Sequence, residues 1–426
     1  MSRAMKASGV EWIGEIPEGW HTIKLRNCLR RPITDGPHET PLYVTDGVPF
    51  ISVNAINWDG TINRDVSTKI TLADAKSYNV KANLEVGDIL FTKAATIGKT
   101  AIVDKVDFMI WSPIAVIKVN EALNNRFLRY IFQCSGYINQ VVNLGTRNTQ
   151  INVGMRAMEQ AKIPVCSPAT QIQIANFLDE KTAQIDAIIE DTKKSLLEFK
   201  KYKQALITQA VTKGLNPDVN MKDSGIEWIG EIPEHWEPIK LKYVLSERSI
   251  KSKTGEEEPL SMSQKYGLIK TRDMDLIPNM TNSYVGNKIV KQNDLVFNKL
   301  KAHLGVFSVS NYEGIVSPDY AVYYPKKEVN VKFLEYVFKT TNCITEFKKR
   351  SRGIAAGLTR LYTNDLFAIK CGIPSLKEQN EIVDYINQKS FHIDSLIADK
   401  EKLITELETY KKALIYEYVT GKREVE

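Results

Sequence analysis

With 426 residues, 43% hydrophobic and 25% charged, the chain has the size and balance of a globular protein of two or more domains, each with its own core. Its net charge of +6 is only weakly basic, so any nucleic-acid contact is expected from local patches rather than from a global field. It has no long uncharged apolar run and no charged start before an apolar core, which argues against a membrane span or secretory signal, and its five scattered cysteines (Cys28, Cys134, Cys166, Cys343, Cys371) predict buried free thiols in a reducing cytoplasm.

Along the chain, the first signature is Ser8-Gly9-Val10-Glu11-Trp12-Ile13-Gly14-Glu15-Ile16-Pro17-Glu18-Gly19-Trp20. It returns as Ser224-Gly225-Ile226-Glu227-Trp228-Ile229-Gly230-Glu231-Ile232-Pro233-Glu234-His235-Trp236. Each copy runs on into Ile-Lys-Leu, at Ile23–Leu25 and Ile239–Leu241. Gly87-Asp88-Ile89-Leu90-Phe91 matches Asn293-Asp294-Leu295-Val296-Phe297, a turn and then a buried strand. Phe127-Leu128-Arg129-Tyr130 matches Phe333-Leu334-Glu335-Tyr336 on an amphipathic helix, and Ile163-Pro164 matches Ile373-Pro374 on a short last strand. Two copies of one unit can form a molecule of approximate twofold symmetry, the symmetry of a DNA duplex backbone. The tryptophans Trp12, Trp20, Trp228 and Trp236 are expected to pack each domain onto the helix that follows rather than to stack on bases.

After each Ile-Pro the pattern changes. From Gln171 to Val211, and from Gln379 to Val419, there is neither Pro nor Gly, and apolar residues recur at heptad spacing. The first seam comprises Leu178, Ile185, Ile189, Leu196, Phe199 and Leu206; the second comprises Ile386, Ile393, Ile397, Ile404, Leu407 and Leu414. Thr192 and Lys203 interrupt the first where Lys400 and Lys411 interrupt the second. A helix of roughly 40 residues is about 60 Å long, and two with matching seams are natural partners. The first stops near Gly214-Leu215-Asn216-Pro217 and a second globular unit begins at once, so antiparallel pairing avoids a return of the chain along the coil. The expected fold is α+β: two tandem α/β domains related by a pseudo-twofold axis, joined by two long helices in an antiparallel coiled coil. The boundaries are 1–168, 169–215, 216–375 and 376–426.

This pattern resembles the specificity (S) subunit of type I restriction–modification systems. The residues that carry the likeness are the doubled Ile-Gly-Glu-Ile-Pro-x-x-Trp, the segment Gly87–Phe91 with Ile97-Gly98-Lys99, and the helix beginnings Ile163-Pro164…Gln171-Ile172 and Ile373-Pro374…Gln379. The resemblance covers essentially the whole chain. It implies a non-catalytic DNA-binding adaptor in which each globular unit is a target-recognition domain for half of a bipartite site. The coil then sets the unread spacer and docks two methyltransferase (M) subunits carrying S-adenosylmethionine, and restriction (R) subunits with ATP and Mg join for cleavage. No cofactor is expected on this chain, and the setting is cytoplasmic. Between about Asp35 and Lys81 the first unit has no evident match in the second, which argues against a palindromic target.

Candidate DNA contacts follow from residue type and place. Lys93 and Lys99 flank a loop whose mate carries Lys299, Lys301 and His303. Ile97-Gly98-Lys99-Thr100 imitates the end of a phosphate loop, but Lys93 stands where that motif needs glycine and a strand follows. The run with Lys349, Arg350, Arg352, Thr359, Arg360 and Tyr362, and its counterpart with Arg147, Asn148, Gln150 and Asn152, combine groups that fork onto base edges and neutralise phosphates. A solvated face is the plainer alternative for both. An enzyme is the rival of another class, but no methyltransferase, glycine-rich cofactor or H-E-x-x-H motif is present, and the five histidines lack metal-ligand spacing. His392, beside the second seam, is expected to be a packed or capping residue rather than a ligand.

Overall fold

The computed structural model describes residues 3–145, 152–263, 266–274, 283–326, 329–355 and 358–425. The chain divides into two compact units: residues 1–193 with 402–426, and residues 194–401.

In the first unit, β1 (Thr34–Asp35), β2 (Ile89–Thr92), β3 (Thr100–Ile102) and β4 (Ile114–Ile117) form an antiparallel sheet in the order β1-β4-β2-β3. Strand β2 is buried on both faces. Ile89 and Phe91 face the main core, and Leu90 faces a smaller one under the segment that the second unit lacks. That segment contributes three strands (Tyr43–Val44, Val48–Ile51 and Thr68–Ile70), which join Met109–Ile110 in a second four-stranded sheet, together with α1 (Leu72–Ala82). Three short helices follow: α2 (Asn125–Gln133), α3 (Ser135–Leu144) and α4 (Met155–Gln160). Strand Lys162–Val165 then returns to pair with His21–Lys24, so the last strand closes against the Ile-Lys-Leu opening.

The second unit repeats the plan. β5 (Leu245–Glu247), β6 (Leu295–Asn298), β7 (Phe307–Val309) and β8 (Tyr320–Pro325) stand in the order β5-β8-β6-β7. The helices are α6 (Val331–Phe338), α7 (Thr341–Arg350) and α8 (Thr363–Phe367), and Lys370–Ile373 closes onto Glu237–Lys240. Where the first unit has its extra sheet, this one has the hairpin Leu260–Ser263/Gly267–Lys270 and the pair Lys288–Val290/Gly314–Val316.

The long helices are α5 (Pro168–Lys213, 46 residues) and α9 (Leu376–Val419, 44 residues). Each unit holds a stretch of both. In the first, Phe177 meets Tyr418 at 4.4 Å between ring centroids and Asp186 accepts from Lys411 at 2.5 Å, so the two stretches are antiparallel. In the second, Lys203 reaches Asp394 at 2.6 Å and Lys200 reaches Glu401 at 3.0 Å, again antiparallel. Lys203 and Lys411, which break the heptad pattern, are repeat mates, and so are their partners Asp394 and Asp186. These two breaks are ion pairs, a polar device that fixes register, whereas Thr192 turns its hydroxyl onto the Ile188 carbonyl and Lys400 lies over the Phe199 ring. Of the seam residues, Leu178, Ile185, Ile189, Leu206, Ile386, Ile393 and Leu414 are buried, and Leu196, Phe199, Ile397, Ile404 and Leu407 are half-buried. His392 is exposed, contrary to the sequence expectation, because it lies off the buried stripe.

A glutamine fastens each globular part to its helix. Gln171 and Gln379 are fully buried in the first turns of α5 and α9. Their Oε1 atoms accept from Asn124 N at 2.7 Å and Asn330 N at 2.8 Å, and those asparagines cap α2 and α6. Their Nε2 atoms donate to the Cys166 and Pro374 carbonyls, both at 2.9 Å. Trp20 and Trp236 pack edge-on against Phe127 and Phe333 within the same cores, beside residues of the long helices. All five cysteines are buried and unbridged. Burial pushes the Cys134 and Cys166 thiols up to about 12, which makes them poor nucleophiles.

Glu335 is fully buried in α6 between Lys339 at 2.5 Å and Lys332 at 2.7 Å. Burial acts to raise its pKa, but the two ammonium groups outweigh it and hold the carboxyl below its ordinary value. A depressed folded-state pKa stabilises above the unfolded value near ~4.3, and that stability disappears as pH falls through the folded value. Glu335→Gln should therefore destabilise the second unit near neutrality and flatten the acid limb of its unfolding curve; equal acid limbs in both proteins would refute the assignment.

Candidate nucleic-acid interface

In the second unit the predicted contacts come together. The hairpin of strands Arg352–Ala355 and Leu358–Arg360 pairs Arg352 directly with Arg360 and Gly353 with Thr359. Cross-strand partners stand about 4.5–5.5 Å apart, so two guanidinium groups rise from neighbouring positions. The Leu361 N–H donates to the Lys299 carbonyl at 3.0 Å, tying the end of this hairpin to the loop after β6. That loop, with Lys301 exposed and His303 half-buried, packs against α7, whose last turn carries Lys349 and Arg350.

These cations are not equally available. Lys301 and Lys349 are exposed and form no ion pair among the described residues. Arg350 is held by Glu346 at 2.6 Å, Arg352 by Asp365 at 2.5 Å and Arg360 by Asp319 at 3.1 Å. Asp319 and Asp365 thus each orient one guanidinium group, a task that nothing in the local sequence signals. Arg352 is largely exposed despite its partner, and such surface pairs are weak, so a ligand can compete for it. Tyr362 is 41% exposed next to the hairpin. Lys288 donates to the Tyr320 carbonyl at 2.8 Å and lies 3.5 Å from Glu247.

The first unit is organised differently. Lys93 is 6% exposed, with its ammonium 3.3 Å from Asp35, which is itself 1% exposed. It is withdrawn as a DNA contact, because a lysine sealed against a buried carboxylate cannot reach a phosphate. Asp35 also holds Lys81 and lies 3.2 Å from His38. Lys99 is half-buried and donates to the Val53 carbonyl at 3.2 Å. Asn152 is exposed; Arg147, Asn148 and Gln150 lie outside the described residues. The phosphate-loop likeness fails in three dimensions as well, since Gly98, at φ +97°, turns the chain into strand β3 and not into a helix.

Two further groups were missed in the sequence as chemistry, although the repeat marks them. Asp88 and Asp294 follow residues in the left-handed region, Gly87 at φ +91° and Asn293 at φ +66°, and point into the sheet. Asp88 pairs with Lys118, whereas Asp294 takes both Nε and Nη2 of Arg248. Among the described residues no cluster could hold a metal ion, and no helix is long and apolar enough to cross a membrane.

The model of the type I restriction modification DNA specificity domain matches this chain twice, over residues 23–198 and 233–409. A putative type I restriction enzyme specificity subunit of Methanocaldococcus jannaschii, MjaX, is 26% identical, over 96% of this chain and 95% of its own. The MjaVIII specificity subunit of the same organism is 23% identical, over 96% and 93%. Among solved structures, a chain from work on assembly and conformational transition of the type I R-M system aligns with a TM-score of 0.70 at 14% identity, covering 96% of this chain and 99% of that one. The HsdS subunit from Thermoanaerobacter tengcongensis aligns at 0.54 and 17%, covering 96% and 98%. With both family matches falling on the two copies of the repeated fold, the chain belongs to the type I restriction–modification DNA specificity family.

Proposed function

We propose that this chain reads a bipartite, non-palindromic DNA site, one half with each unit, and that its two long helices fix the length of the unread spacer. It does so as a non-catalytic adaptor docked to two methyltransferase subunits. Those subunits hold S-adenosylmethionine; restriction subunits, where they join, hold ATP and Mg.

The observation that carries this reading is a common scaffold with unlike faces. The central sheets share one strand order, yet the polar groups above them differ. The second unit gathers Lys299, Lys301, Lys349, Arg352 and Arg360, whereas the first neutralises Lys93 on Asp35. Two readers of one identical half-site have no reason to diverge there. Arginine and lysine suit guanine O6/N7 and phosphates, and asparagine suits adenine.

The test is exchange. Residues 224–374 are replaced by the same segment of a relative, the chain is expressed with its methyltransferase subunits, and the methylated motif is mapped by long-read sequencing. One half of the motif should change completely while the other half is retained. Alteration of both halves, or of neither, would overturn the two-reader assignment.

A further inference from the structure

Lys93 and Lys299 occupy the same place in the repeat. Each follows its central strand by one position from the same register, since Phe91 faces Ala115 and Phe297 faces Ala321. The carbonyl of each accepts from the segment before the last helix of its unit, Val153 N at 2.8 Å for Lys93 and Leu361 N at 3.0 Å for Lys299. Their surroundings are nonetheless opposite. On the strand opposite Ala115 stands Asp35, which neutralises Lys93.

In the second unit the register runs Glu247 opposite Tyr323, then the Arg248 N–H onto the Val322 carbonyl; continued one residue past the strand's end, it sets the exposed Ser249 at the position across from Ala321. A serine therefore occupies the place of the carboxylate. The two acids nearest Lys299 are already engaged: Glu247 accepts from Thr363 at 2.7 Å and faces Lys288, and Asp319 holds Arg360. No ion pair of the described residues includes Lys299, which is half-buried. Burial first, then the charges of Lys288 and Arg360, hold its pKa below the ordinary value. An ammonium left without a counter-ion among like charges is waiting for an acceptor from outside.

We propose that Lys299, with Arg360 beside it, takes an electron-rich acceptor of DNA in the half-site read by the second unit, and that its repeat mate Lys93 is purely structural. The inference rests on the DNA-reading function above and assigns its polarity: one of two equivalent lysines reads, and the other is switched off by Asp35. The acceptor is either a guanine N7/O6 edge or a phosphate oxygen, and the two differ in readout. A lost base contact relaxes the motif at one position, whereas a lost phosphate contact weakens all sites alike and lowers the salt slope by about one.

The experiment uses the full chain with its methyltransferase subunits, comparing wild type with Lys299→Met, Ser249→Asp, Ser249→Asn and Lys93→Met. Methylation motifs are mapped, affinity for the mapped site is titrated against salt, and thermal unfolding checks the fold. Lys299→Met should cost about ten-fold, either in discrimination at one base of one half-site or uniformly with the shallower salt slope. Ser249→Asp, which restores the missing carboxylate, should reproduce that loss with Lys299 in place; Ser249→Asn, of similar bulk and no charge, should keep the wild-type behaviour. Lys93→Met should lower thermal stability and leave the motif intact. A folded Lys299→Met chain with unchanged motif, affinity and salt slope overturns the proposal, as does a Lys93→Met chain that relaxes the other half-site. A wild-type chain that directs methylation to no motif at all overturns the DNA-reading function and this proposal together.

Discussion

Asp294→Ala is expected to destabilise the second unit by about 3–5 kcal/mol, the cost of leaving a buried cation without its partner. Asp294 is 2% exposed and binds Arg248 through two hydrogen bonds, at 2.6 and 2.8 Å, while its Oδ2 also accepts the Lys291 N–H at 2.8 Å. The Arg248 side chain is only 15% exposed and lies over the Tyr324 ring at 4.8 Å, so it cannot swing into water without losing that packing. The mate Asp88→Ala should cost less in the first unit, because Lys118, 4% exposed with its ammonium on Asp88 at 2.5 Å, keeps a second partner in Glu85 at 3.1 Å. Burial raises the Asp88 carboxyl above its ordinary value in spite of Lys118. A raised folded-state pKa means that stability from this group is present at low pH and is lost as pH rises through the folded value, the opposite of Glu335. The check is denaturant unfolding of the single variants beside the apolar double variant Asp294→Leu/Arg248→Met. The double should recover most of the loss, since removing both charges leaves nothing unpaired; a single-variant loss below about 1 kcal/mol would show the pair to be dispensable.

The scaffold was legible in the sequence because periodicity and repetition are local signals. The doubled Trp-Ile-Gly-Glu-Ile-Pro, the turn before Ile89 and Leu295, and the heptads of α5 and α9 each mark an element whose burial follows from its own residues. The interface was not legible in the same way, because availability depends on partners distant in the chain. Lys93 and Lys299 read alike in sequence, both following an aromatic strand end. The first is silenced by Asp35, 58 positions earlier on a strand whose counterpart in the other unit offers no carboxylate at that register. Arg360 and Asp319, or Arg352 and Asp365, likewise meet only through the pairing of the last hairpin and α8. Lys203 and Lys411 looked like flaws in a seam; the facing aspartates, Asp394 and Asp186, make them register pins.

If the helices are the ruler, adding one heptad to each should abolish methylation at the native spacer. The natural places are after Lys193 in α5 and after Glu401 in α9, where each helix passes from one compact unit to the other. Seven residues add about 10 Å of helix while turning it through nearly two complete turns, so the apolar stripe stays in phase and the folded units keep their own contacts. On B-DNA, about 10 Å corresponds to roughly three base pairs. Those base pairs also rotate the second half-site about the duplex axis by roughly a hundred degrees, at about 10.5 base pairs per turn. The coil's own phase drift of about 20° per heptad cannot follow that rotation. The lengthened chain must therefore either find sites with a spacer longer by about three base pairs, with strained DNA and weaker activity, or find none. Mapping the methylated motif separates these results from the one that defeats the ruler: a folded, active variant that still methylates the native spacer.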